Sequence, residues 1–186
     1  MKMALASLSR SMGCCLAAAL LPHIVLAQGQ LTCDRVDMPL SVRAEGMAEL
    51  VSDIVLKCTG GTPAPRGGVV PKFQVIVAAN TRLTSRVLVP GTTGTGMSEA
   101  LLVVDEPLFA EQVGCASASS GDACPALAGA ASSPNVFQGR KTQDNTITFR
   151  SVPLDPPGTQ AVRTIRITNL RANLPSLLEK SPRVST

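Results

Sequence analysis

Asp53-Ile54-Val55-Leu56-Lys57-Cys58-Thr59-Gly60-Gly61 is the stretch that decides the fold. Ile54, Leu56 and Cys58 alternate with Asp53, Val55 and Lys57, and two glycines end the run. A period of two closed by glycine is the pattern of a strand with one buried face. The pattern recurs further along. Phe73, Val75 and Val77 alternate with Lys72, Gln74 and Ile76; Ile147 and Phe149 with Thr146, Thr148 and Arg150; Ile165 and Ile167 with Thr164, Arg166 and Thr168. Ala100 to Val104 is a short continuous apolar run closed by Asp105-Glu106-Pro107. Shorter strand candidates are Leu40 to Arg43, Arg86 to Val89, Asn135 to Gln138 and Val152 to Leu154. Gly60 to Pro65, Pro90 to Gly96 and Asp155 to Gly158 separate them as turns, because Gly supplies positive φ and Pro removes a ladder donor. Many short strands between Gly/Pro turns predict an all-β sandwich or barrel. Helix signals are confined to single turns at Ala44 to Leu50 and Pro175 to Lys180.

Residues 1–27 read as a secretory signal peptide. Lys2 and Arg10 supply positive charge, Met12 to Leu21 is an uncharged Ala/Leu-rich run, and Val25-Leu26-Ala27 offers small residues for cleavage before Gln28. Two alternatives stand beside this reading. One is an uncleaved anchor, since Ser11 to Ala27 is near the lower limit for a bilayer span. The other is lipidation of Cys14, against which Ser11 stands where a Leu-like residue belongs. No other stretch is long and apolar enough to span. Residues 28–174 form the expected β-sandwich domain, with a long Ala/Ser/Gly-rich loop at 110–134, and 175–186 form a C-terminal tail. After Ile165 to Leu170 only Leu177-Leu178 and a polar end follow, so the strand at 162–172 is an expected sheet edge.

Four cysteines lie beyond the signal: Cys33, Cys58, Cys115 and Cys124. An even number in an exported chain favours disulfides, and three pairings are open. The sequence-local pairing, Cys33–Cys58 with Cys115–Cys124, is preferred, each bridge contributing about 2–4 kcal/mol. No CxxC pair exists and the one His precedes Gln28, so no metal site is expected.

The 186 residues are 45% hydrophobic, 16% charged and 2% aromatic, without Trp or Tyr. That hydrophobic share argues against wholesale disorder. Without Lys2 and Arg10, 15 basic residues face 13 acidic ones, so the balance is near neutral and nucleic acid is not an expected partner. The basic residues Arg140, Lys141, Arg150, Arg163, Arg166 and Arg171 have no interleaved aromatics, and Arg150 and Arg166 are expected to shield exposed sheet surface. Lack of His beyond the signal excludes Ser-His-Asp and Cys-His nucleophiles. Acidic groups remain: Glu45, Glu49, Asp53, Asp105, Glu106 and Asp155. Glycoside hydrolysis needs two such groups across a cleft, and sugar stacking needs aromatics this chain lacks. Asp105-Glu106 is expected to be a strand-ending turn rather than a Ca²⁺ site, and Gly91 to Gly96 a hairpin loop rather than a phosphate loop.

Val42-Arg43-Ala44-Glu45-Gly46-Met47-Ala48-Glu49-Leu50 leading into the opening stretch resembles a group of exported bacterial proteins of uncharacterised function. Ser98 to Leu102, Asn135 to Gly139, Val152 to Gly158 and Arg166 to Asn173 extend the resemblance over most of residues 40–173. It implies an immunoglobulin-like antiparallel β-sandwich, shortened at its C-terminus relative to the longer members, and transfers no activity and no functional residues. The combined expectation is a secreted, periplasmic or envelope module that is not an enzyme. It needs no cofactor, binds an extracellular or envelope protein and has no membrane span after cleavage. The alternatives are a hydrolase working with acidic residues alone, or a subunit that completes its sheet with a partner's strand.

Overall fold

The computed structural model describes residues 29–36, 40–92, 95–115, 128 and 133–175. Residues 1–28, which hold the expected signal peptide and Cys14, together with Cys124, most of the 110–134 loop and the tail after Pro175 lie outside the described residues. The strands are β1 (Leu31–Val36), β2 (Glu49–Leu50), β3 (Ile54–Gly60), β4 (Lys72–Ala78), β5 (Val87–Pro90), β6 (Gly96–Val104), β7 (Val136–Gln143), β8 (Thr146–Pro153), β9 (Gly158–Thr168) and β10 (Arg171–Ala172). Every strand pairing is antiparallel. One sheet runs in the order β1-β3-β9-β6-β7-β8-β4, with β5 added on β6; β2 and β10 form a second, small sheet.

The period-two reading of β9 holds, and in β3 Ile54, Leu56 and Cys58 pack on the core as expected, but Val55, expected on the outward face, is also buried at 5% exposure. Ile54 lies beside Ile167, which lies beside Leu102, which lies beside Phe137. Leu56, Ile165 and Val104 form the next row. Both rows face one hydrophobic core, and Phe73, Val75 and Val77 of β4 reach the same core from the far end of the sheet. The sheet must therefore curl until the inner faces of its two ends meet. The fold is all-β and antiparallel, with one curled sheet around one core.

β8 joins two segments that read separately in sequence. Phe149 and Val152 are three residues apart, so a regular strand would aim them at opposite faces. Phe149 pairs with Val75 and Val152 with Phe73, so β8 spends three steps where β4 spends two. Ser151, at φ 53°, sits in this bulge. Both apolar side chains then point inward, at 0% and 1% exposure. A second irregularity lies in β6 between Met97 and Leu101. There the Ser98 hydroxyl donates to the Gly139 carbonyl (3.0 Å), and the Gln138 amide donates to the Ser98 carbonyl (2.9 Å), which satisfies backbone the bulge frees.

The turns follow their residues. Gly60 and Gly61 adopt φ 83° and 75°. A Cβ at Gly60 would stand 2.5 Å from the Gln30 carbonyl oxygen, so the close entry of β1 requires glycine there. β5 and β6 pair antiparallel up to Pro90 and Gly96, and the Gly91 amide donates to the Thr95 carbonyl (2.8 Å) beyond that pair. Cys33 lies directly opposite Cys58, and the two form a disulfide with Cα atoms 4.0 Å apart. Cys115 is also disulfide-bonded; its expected partner Cys124 lies outside the described residues.

Four expectations are corrected. Ala44 to Leu50 is not a helical turn: it forms turns and then β2, because Val51 donates to the Leu170 carbonyl (2.9 Å) and Leu174 to the Gly46 carbonyl (3.0 Å). These long-range bonds take the groups that a local helix would pair. Leu40 to Arg43 is not a strand, and its residues are exposed. The strand at 162–172 is not an edge of the main sheet: β9 lies between β3 and β6, the path ends at β1 and β4, and β5 is also paired on one side only. Arg166 lies on the face of this central strand opposite Ile165 and Ile167, so its charge covers sheet surface rather than an edge. β1 escaped the sequence reading because Leu-Thr-Cys-Asp-Arg-Val has no apolar alternation, and all of it but Leu31 is exposed.

Candidate functional site

The curl leaves a groove where the C-terminal ends of β1 and β4 face each other. Arg35 forms part of one wall and Val77 to Thr81 the other, with Ile54, Leu83 and Leu170 among its apolar lining and Leu40, Val42 and Leu174 also bordering it. Its volume is about 320 Å³, within the range of small-ligand sites. Polar side chains are few: Arg35, Ser52, Asn80 and Thr81. Among the described residues no Asp, Glu, Cys or His contributes to the lining. Thr81 is fixed by donating its hydroxyl to the Asn173 carbonyl, and the backbone bond from Asn173 to Arg82 (2.9 Å) holds the same corner. The groove is thus a firm apolar trough with polar atoms at few points. Such a trough suits apolar side chains or a lipid-like group.

The acidic residues lie elsewhere. β6 ends at Asp105 and Glu106, both at positive φ (59° and 46°), which turns their carboxylates back over β9. Asp105 accepts from the Thr164 amide (3.1 Å) and from Arg163. Glu106 and Asp53 both bind Arg166, the latter at 3.1 Å. These hydrogen bonds, from Glu106 first and then Asp53, hold the Arg166 guanidinium above its ordinary pKa. Asp155 accepts from the Ala64 amide (2.8 Å), and its carbonyl accepts from Arg163. Glu45 and Glu49 belong to the β2 segment. The structure thus gathers Asp53, Asp105 and Glu106 around Arg163 and Arg166, and does not bring Glu45 or Glu49 into hydrogen-bond or ion-pair contact with them among the described residues. The guanidinium of Arg166 occupies the place between Asp53 and Glu106 that a substrate oxygen would need. Among the described residues no group of three metal-ligating side chains occurs.

Arg166 is the hub of this surface. Arg166→Met leaves Asp53 and Glu106 without their shared cation. Because the Arg166 side chain is 30% exposed, the expected loss is only about 1 kcal/mol in urea unfolding. The deficit shrinks as salt is raised, and a loss independent of salt would contradict an electrostatic role.

The groove was not legible in sequence, because four distant segments supply its walls and each apolar residue reads locally as ordinary core. Charge runs pointed to Arg163 and Arg166 but not to their acidic partners. No protein-family model matches the chain, and no curated protein or solved structure is significantly similar to it. Among the described residues no helix is long and apolar enough to cross a membrane, and the Cys33–Cys58 disulfide is compatible with an extracellular location.

Proposed function

We propose that this chain is an exported, non-enzymatic module that binds another molecule through its apolar groove. The observation that carries the reading is the groove's composition: a trough of about 320 Å³ whose described lining is mostly apolar and, among the described residues, holds no carboxylate, thiol or imidazole. A site built this way gains free energy by excluding water from apolar surface, and among its described residues the Ser52 and Thr81 hydroxyls have no lining His or carboxylate to activate them. The pairing of Asp53, Asp105 and Glu106 with arginines supports the same reading over an acid-only hydrolase. The antiparallel curled sheet with a single core supports an immunoglobulin-like sandwich, and the resemblance along residues 40–173 supports membership of an exported bacterial group. The partner is an extracellular or envelope protein that offers an apolar segment; nucleic acid, cofactors and metals have no part. The protein itself resides in the periplasm or envelope or is secreted.

Ala79→Arg tests it by placing a long cation in the trough. Purified protein immobilised on resin captures a specific partner from culture medium or envelope fractions, and the variant loses that capture while keeping its thermal midpoint within about 3 °C. Equal capture by both proteins overturns the groove as the binding site. Turnover of a glycoside or ester substrate that Glu106→Gln abolishes overturns the non-enzymatic reading.

A further inference from the structure

β1 is attached to the fold in an unusual way. It pairs with one strand only, β3, and every residue from Thr32 to Val36 is exposed. Leu31 alone among its residues packs on the hydrophobic core. A further tie is covalent: Cys33, in the middle of the ladder, is bonded to Cys58 directly across from it. The two sulfurs sit in unlike surroundings. Cys58 is at 0% exposure inside the core, whereas Cys33 is exposed at the sheet edge.

We propose that the Cys33–Cys58 disulfide is a reducible clasp on β1: a dithiol reductant opens it, β1 leaves the sheet, and the β3 edge is uncovered while the rest of the fold persists. Access directs the chemistry to Cys33. A thiolate of the reductant bonds to Cys33 Sγ, the S–S bond breaks, and its electron pair leaves on Cys58 Sγ, which takes up a proton. The second thiol of the reductant then attacks the mixed disulfide. The reductant ends as a cyclic disulfide, and both cysteines end as thiols. With the clasp open, a six-position ladder, the half-buried Leu31 and the contacts of the exposed Arg35 hold an edge strand, which belongs to the low-stability end of local opening. β3 keeps its place because β9 pairs its other side from Ile54 to Cys58. Opening exposes a row of unpaired β3 backbone groups, the template for strand addition, and removes Arg35 from the groove wall. The inference rests on β1 alone and stands whatever the groove binds.

Hydrogen exchange read by peptide mass distinguishes a clasp from a plain staple. The full chain is compared oxidised, treated with dithiothreitol under native conditions, and as Cys33→Ser/Cys58→Ser, which spares the bridge at Cys115. In both altered forms, peptides covering 29–36 and 54–60 exchange at least about tenfold faster, and peptides covering 96–104 and 146–153 stay unchanged. Trapping with a monothiol places the adduct on Cys33. Acceleration across all strands means that the bridge staples the whole fold and overturns the proposal. So does unchanged exchange at 29–36, an adduct on Cys58, or a disulfide that resists dithiothreitol in the folded protein. If the double variant does not fold, the dithiothreitol arm alone decides.

Discussion

Phe149→Ala lowers the unfolding free energy by about 3–5 kcal/mol and the thermal midpoint by about 10 °C or more. The chain has four Phe and no Trp or Tyr, so aromatic core volume is scarce. One of the four, Phe109, is 91% exposed, and Phe149 is at 0%. Its ring occupies space that Gly139 on the neighbouring strand leaves open: a Cβ at Gly139 would stand 2.9 Å from the ring. Removing the ring therefore empties a site that Gly139 cannot refill, and the cost of a cavity depends on how far the site collapses. Phe149→Leu keeps much of the volume and costs about 1–2 kcal/mol. Chemical denaturation of both variants checks the order. Equal losses would mean that the ring's volume is not what matters.

Gly96→Val is the second large effect, at about 2–4 kcal/mol, from backbone strain and overpacking together. Gly96 begins β6 at φ 144°, a conformation that side chains resist. A Cβ there would meet backbone rather than movable side chains, at 2.3 Å from the Val89 carbonyl oxygen and 2.8 Å from the Gly91 nitrogen. Relief requires the β5–β6 hairpin to open, and Gly96 also pairs with Lys141 of β7. Exchange of the Val87 and Ser98 amides rises first as the hairpin loosens. A variant as stable as wild type, with unchanged exchange there, would show that the hairpin tolerates a side chain at this position.

Local pattern carried much of the fold. Ile54, Leu56, Ile165 and Ile167 point inward as their alternation requires, because a strand's side chains can take only two directions. Gly60-Gly61 and Asp105-Glu106 turn where their residues permit positive φ. The pattern failed where distant groups competed for the backbone. Ala44 to Leu50 has residues that tolerate a helix, but Leu170 and Leu174 take its hydrogen bonds. Phe149 and Val152 share a face only through the bulge at Ser151, which no period of two can announce. β1 is polar because an edge strand covered on one side needs little apolar surface, so alternation cannot find it. The candidate site fared worse than the fold. Cys33–Cys58 was readable as a local pair, whereas the groove joins segments that meet only when the sheet curls.

The amino-acid sequence by itself determined the all-β class, the inward residues of the main strands and the absence of imidazole after residue 27, and it favoured the Cys33–Cys58 pair among three pairings. Those are properties of residue type and near-neighbour spacing. The tertiary structure alone decided that β9 is central, that the path of the main sheet ends at β1 and β4, that Arg166 joins Asp53 to Glu106, and that an apolar trough opens at one end. Each of these depends on which strands become neighbours. That choice is made by burial of a shared core across long sequence separations, where backbone pairing is nearly the same for every partner and only the fit of side chains tells one from another.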